Sequence, residues 1–327
     1  MAAGNSPHVM RLEVKMDLLA PIRRNVVRQL EILGGRHDEP HVYDGEPGDP
    51  GLAGGPGSVS WELHGDLGVL GAAGGAAIVM ELLHPSVMAG VYEHSSFLKQ
   101  PLRRSQRTLG YVLCTTFGST PAATRLIEQV KRVHGQIRGR RPDGVPYEAL
   151  DPKLIAWVHT SIPWAVMRAY ERHRRPLSRR EKDQYLSEQA VIGRMGGADW
   201  VPEAVAELES FVEAVRPELA VTEQTRTFIR FFAEGPMPRE PGAAERWQRW
   251  MSLEASMSLM PEWAQELTGL RFESAMAKRL AVRIEQLRAD VARWAVPTPP
   301  CKAMAVARAT RDAPRAAPSV PEAAAGA

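Results

Sequence analysis

The sequence predicts an all-α protein, a multi-helix bundle. Apolar side chains recur at helical spacing through most segments, strand-like alternation is scarce, and prolines with small polar residues stand where helices would begin. With 327 residues, 44% hydrophobic and 24% charged, the chain can bury a sizeable core. The expected organisation is one helical domain over 1–296 and a disordered tail over 297–327, where Pro and Ala dominate and large apolar side chains are few.

A first helix is expected over 17–33. Residues 35–58 read as loop, because Asp44-Gly45-Glu46-Pro47-Gly48-Asp49-Pro50-Gly51 is too dense in turn formers for a helix or a central strand. A second helix is expected over 60–83. Its stretch Leu67–Met80 is about half Gly and Ala, which lets a neighbouring helix or a flat cofactor come close, and is shorter than the roughly 20 residues of a membrane span. Helices over 101–117 and 121–138 follow. The second of these is announced by Thr120-Pro121, an N-cap with proline in the first turn, and is expected to stop at Gly139, with Pro142 and Pro146 marking a linker. Asp151-Pro152 repeats the start signal for 152–173, and Ser178 with Glu181 forms a capping box for 179–193. The remaining helices are expected over 203–215, 220–232, 241–256 and 272–294.

Charge narrows the partners. Lys plus Arg is 41 and Asp plus Glu is 38, a net +3, and the basic clusters at Arg138–Arg141, Arg172–Arg175 and Arg179–Lys182 are short, so nucleic acid is not expected. Two cysteines, Cys114 and Cys301, make no disulfide framework and suit a reducing compartment. The amino terminus lacks a charged stretch leading into an apolar core, so a cytoplasmic protein without a membrane span is expected.

Several side chains could carry chemistry. Ala123, Leu126, Ile127, Val130, Val133 and Ile137 make the apolar stripe of the helix after Thr120, and His134 falls inside that stripe. Such a histidine is either a hydrogen-bonded core residue or a metal or haem ligand, since neutral imidazole is the commonest axial ligand. In the next helix Ile155, His159, Ile162 and Val166 share a face, with Pro163 expected to kink the chain by removing the partner of the His159 carbonyl. Arg104, Thr108, Tyr111 and Thr115 form a polar stripe. Exposed, it is an ordinary surface; turned inward, Arg104 could grip a carboxylate while the Thr108 hydroxyl meets a ligand. Arg107 lies one residue off that face. The sequence has no HExxH, CxxC, P-loop, GxGxxG or GxSxG motif, which weighs against zinc hydrolases, P-loop and classical dinucleotide enzymes, and α/β-hydrolases.

An ordered set of short stretches resembles a known family. The stretches are Gly48-Asp49-Pro50-Gly51, Ser60-Trp61-Glu62-Leu63-His64-Gly65-Asp66, His84-Pro85 with Ala89-Gly90-Val91 and His94-Ser95, Arg104-Ser105-Gln106-Arg107-Thr108, Val133-His134-Gly135, Tyr147-Glu148-Ala149-Leu150-Asp151-Pro152, and Trp157-Val158-His159. Their order resembles the group that contains bacterial rubber oxygenase (latex-clearing protein) and the fungal ER-bound oxygenase. The resemblance implies a globin-like core with b-type haem, His134 as the proximal iron ligand, and Arg104 and Thr108 in the haem-side motif. Rubber oxygenase has a lysine where this chain has Arg107. An arginine stays protonated and does not ligate iron, which implies an open or water-filled distal position and tells against rubber as the substrate. No carboxylate matches the family's acid/base group; Glu81 and Glu93 are nearest, with His84 and His94 as alternatives.

The expected function is therefore a haem b oxygenase with iron on His134, a lipophilic small-molecule substrate, Arg107 and His159 as catalytic candidates, and a redox partner as a further possibility. A non-enzymatic haem protein for binding or electron transfer, a non-haem metal oxygenase using His84, His134 and His159, and a helical interaction protein are the competing readings.

Overall fold

A computed structural model describes residues 7–34, 40–234, 242–270 and 274–312. In chain order its helices are α1 (Pro7–Gly34), α2 (Pro40–Tyr43), α3 (Val59–His64), α4 (Leu67–Leu82), α5 (Pro85–His94), α6 (Pro101–Phe117) and α7 (Thr120–His134). After strands β1 (Arg138–Arg140) and β2 (Pro146–Glu148) come α8 (Pro152–His173), α9 (Arg179–Gly196), α10 (Val205–Val215), α11 (Glu223–Glu234), α12 (Ala243–Met257), α13 (Glu262–Thr268), α14 (Ala275–Ala295) and α15 (Pro300–Ala309). The protein is all-α, with one two-stranded antiparallel ribbon among the described residues.

The start signals at Asp151 and Ser178 act as the sequence predicts, whereas α7 is capped by Ser119 and Thr120, the expected cap, is its first helical residue. Ser119, Asp151 and Ser178 accept from backbone N–H groups at the first turns of α7, α8 and α9, and Ser178 with Glu181 completes a reciprocal capping box. Pro163 lies inside α8, which runs on past it to His173. The expected helix 60–83 is two helices. Asp66 ends the first by adopting an extended conformation and accepting from Val69 N–H at 3.0 Å, as the N-cap of α4. Arg293 at 3.0 Å and Arg174 at 3.4 Å hold its carboxylate in place.

The expected helix 121–138 is also shorter. It stops at His134, and Arg138, Gly139 and Arg140 pair with Glu148, Tyr147 and Pro146. Gly139 is thus a strand residue, where a Cβ would stand 2.6 Å from the Tyr147 hydroxyl. Pro142 and Pro146 belong to a hairpin, not a free linker, because Gly144 at φ +86° allows the chain to reverse.

The tail expected to be disordered holds α15. Arg308 is fully buried and donates to the carbonyls of Tyr43, Phe117, Asp49 and Gly118 at 2.6, 3.0, 2.9 and 3.2 Å. Those bonds satisfy backbone carbonyls at chain ends and turns, so a segment of weak apolar content is fixed by polar contacts. The expectation for 313–327 lies outside the described residues.

α4 is the central helix. It packs on α8, α12 and α14, and its small residues allow close approach: Cβ atoms at Gly68 and Gly75 would fall 2.7 Å from the Ala289 backbone and 2.5 Å from the Ser256 hydroxyl. Trp61, Trp157, Tyr185, Phe117 and Leu63 fill the core around it, each large apolar side chain adding about 1.5–3 kcal/mol on burial. No single described helix is long and apolar enough to cross a membrane; α4 and α5 together have the length and composition but are bent by 106°, and the α4 residues are mostly buried within the protein.

Candidate functional site

The site is built from the carboxyl ends of α4 and α7, the first turns of α6 and the middle of α8. α6 and α7 pack on each other, and α4 packs on α8. Glu81 is the single charged side chain of α4 and is 7% exposed. The Ser161 hydroxyl, which donates to the Val158 carbonyl at 2.7 Å, lies 3.5 Å from its carboxylate, and the Trp157 indole N–H donates to its backbone carbonyl at 3.2 Å. Burial raises the Glu81 pKa to about 7 against the opposing field of Arg104 and the Ser161 hydroxyl.

Arg104 is half-buried and donates to the Thr108 hydroxyl one turn on. That hydroxyl also donates back to the Arg104 carbonyl at 3.2 Å. No ion pair joins Arg104 to a carboxylate among the described residues, an unusual condition for a guanidinium partly withdrawn from water. Its field bears on both Glu81 and His134. His134, the last residue of α7, is half-buried, and burial followed by the Arg104 charge lowers its pKa. The ring is therefore neutral at pH 7, the form that offers a lone pair to a metal.

Arg104 and Thr108 are thus hydrogen-bonded to each other, and the Arg104 charge acts on both His134 and Glu81. His159 stands apart. Part of the residue surface is accessible, but its ring is enclosed against Gly193, where a Cβ would fall 2.6 Å from it. Burial lowers its pKa to about 4, opposed by its hydrogen bond to the Gln189 carbonyl. It makes no hydrogen bond or ion pair with His134 or Arg104 among the described residues. Arg107 is exposed on the neighbouring face of α6. Val133, placed in the apolar stripe by spacing, is 54% exposed, because the last turn of α7 leads out into the hairpin.

The other candidates have structural partners. His84 caps α5 by accepting from Ser86 N–H at 3.2 Å and lies 3.5 Å from Glu218. Glu93 accepts from the Tyr147 hydroxyl at 2.5 Å, and His94 lies beside it. His64 is fully enclosed, with Thr116 and Tyr185 hydroxyls at 2.6 and 2.7 Å on its two nitrogens, and burial takes its pKa to about 3. Sequence reasoning did not find Ser161 or the indole anchor of Trp157. Glu81 had a signal in the sequence: it is the lone charge in an otherwise apolar helix.

The donor set bears on which metal group these residues could hold. Among the described residues no three His, Cys, Asp or Glu side chains converge as a metal-ligand cluster. One neutral imidazole beside an uncommitted guanidinium suits a metal whose remaining positions a macrocycle fills, with the guanidinium free for a carboxylate substituent. It does not suit a three-histidine site, since His84 and His159 are engaged elsewhere.

Comparison with known proteins is consistent with an oxygenase scaffold. Uncharacterized proteins of Mycobacterium bovis and Mycobacterium tuberculosis are each 32% identical to the chain over 87 residues, 25% of this chain and 34% of the relative. The chain thus spans about a third of the length of the curated relatives it matches. No solved structure matches. The family described as ER-bound oxygenase mpaB/B′/rubber oxygenase, catalytic domain, matches residues 61–296, a span that holds every site residue above. The chain belongs to this oxygenase catalytic-domain family.

Proposed function

We propose that the protein is a haem b-dependent oxygenase acting on an apolar small molecule, with His134 as its ligand to iron. The observation that carries this reading is Arg104: a half-buried guanidinium without a carboxylate partner, its field reaching both a neutral imidazole and a buried carboxyl. When bound, the haem supplies activation of dioxygen or peroxide. The chain's residues supply the rest. His134 would offer its nitrogen lone pair to the iron, and Arg104, hydrogen-bonded to Thr108, would pair with a propionate carboxylate. Glu81, with a pKa of about 7, takes or gives a proton at its carboxylate oxygen, with the Ser161 hydroxyl beside it. His159 is the neutral wall residue on α8, and Arg107 stands at the exposed rim, where a redox partner could reach it.

The test is haem reconstitution followed by absorption spectroscopy. The wild-type protein gains a Soret band, and His134→Ala loses it or shifts it to a weakly ligated form. Arg104→Ala keeps the ligation but holds haem about 10–100-fold more weakly, the worth of one charge-assisted pair. A folded protein with no Soret band, or an unchanged band in His134→Ala, refutes the assignment. A Soret band without oxygen consumption on any apolar substrate assigns a non-enzymatic haem protein instead.

A further inference from the structure

The outward face of α14 is built against the usual pattern. Its buried residues Ala281, Ala289 and Ala292 face the core. On the opposite side Met276, Leu280, Leu287 and Trp294 are 79%, 50%, 63% and 43% exposed. Offsets of 4, 11 and 18 from Met276 place all four within a strip roughly 40° wide and about 27 Å long. An apolar strip of that length facing water marks a contact surface. The neighbouring helix α12, which packs on α14 through Met251 and Ala255, adds the exposed Trp247 and Trp250.

Charge identifies what the strip meets. Along its flank lies an open recess of about 690 Å³ lined by Arg172, Lys278, Arg279 and Arg283 with Gln286. The two acidic residues of α14 are already paired, Glu285 with Arg288 and Asp290 with Arg293. Lys278, Arg279 and Arg283 have no carboxylate partner among the described residues. Arg172 is held only by the Ser258 hydroxyl and carbonyl, at 2.5 and 3.0 Å. Arg279 and Arg283, cations without counter-charge that flank an exposed apolar strip with a tryptophan at its end, match an anionic lipid surface: the strip enters the acyl boundary, the cations meet phosphates, and the indole sits at the headgroup level. A second copy of the chain fits less well, because a two-fold contact through α14 would bring two uncompensated positive faces together.

We propose that α14 docks the protein on anionic bilayer surfaces. The site is separate from the His134 group and does not depend on its assignment.

The experiment is co-sedimentation of the full chain with phosphatidylcholine vesicles prepared with and without phosphatidylserine, at low and high salt. The wild-type protein pellets with the anionic vesicles, is released by salt, and stays in solution with the neutral ones. Each cation near the surface is worth about fivefold in partitioning, so Arg279→Ala/Arg283→Ala together lose about 25-fold. Leu280→Ser/Leu287→Ser loses about tenfold or more through the apolar term. Both sets are exposed side chains, so circular dichroism and melting stay at wild-type values. Equal partitioning to neutral and anionic vesicles, no partitioning to either, or wild-type binding by both variants overturns the proposal. So does a concentration-dependent dimer in ultracentrifugation that Leu280→Ser/Leu287→Ser abolishes, which would give the face to a second copy.

Discussion

Replacing Glu81 by glutamine removes one proton site from the interior while keeping the shape and the oxygen beside the Ser161 hydroxyl. The free carboxyl of an unfolded chain titrates at 4.5, whereas in the fold burial holds it at about 7. Between those values the native protein keeps a proton that the unfolded chain releases. Stability from this group is therefore complete below pH 4.5 and falls as the pH rises through 7. A shift of this size corresponds to about 3 kcal/mol at 1.36 kcal/mol per unit. Buried His64 and His159, held at about 3 and about 4, slope the opposite way: the unfolded chain binds their protons first, so their contribution is complete above pH 6.5 and is lost as the pH falls. These histidine terms cancel when the variant is subtracted from the wild type. Urea unfolding of both proteins from pH 4 to pH 8 is the assay. Glu81→Gln gains about 3 kcal/mol relative to wild type across that range, almost all of it between pH 4.5 and 7. Parallel curves for the two proteins would mean that the carboxyl is not desolvated and would remove its proton-transfer role as well.

Two further substitutions probe the frame around the site. Arg308→Met leaves the carbonyls of Tyr43, Phe117, Asp49 and Gly118 without their buried donor, and should cost about 3–5 kcal/mol; a melting midpoint lowered by on the order of 10 °C is expected, and one within the scatter of wild type would show that α15 is not held by this residue. Gly193→Ala places a methyl 2.6 Å from the His159 ring, so the imidazole must move at a cost of about 1–3 kcal/mol; the proton resonances of His159 and the melting midpoint both shift, and unchanged resonances would refute the close packing of the ring on α9.

Much of the helical layout was legible because its causes are local. Proline in the first turn, a side chain that accepts from the next turn's N–H, and apolar residues at helical spacing act within a few residues, and they placed α6, α8 and α9 nearly where the structure has them. The family was legible in the order of short motifs, which the match over 61–296 bears out. Arg104, Thr108 and His134 could be named from spacing and resemblance; in the structure Arg104 donates to Thr108 and its charge acts on His134.

What spacing could not supply was everything that depends on distant chain segments. The break at Asp66 is fixed by Arg293 and Arg174, more than 100 residues away, and the order of 300–309 by carbonyls near residues 43–49 and 117–118. The close packing of the His159 ring on α9 follows from Gly193, which leaves room for it. Sequence alone determined most of the helical layout and which residues stand as candidates for chemistry, because propensity and capping are short-range. Only the tertiary structure decided which of those groups are desolvated, paired or left without a partner, because burial and charge neutralisation are properties of the assembled packing.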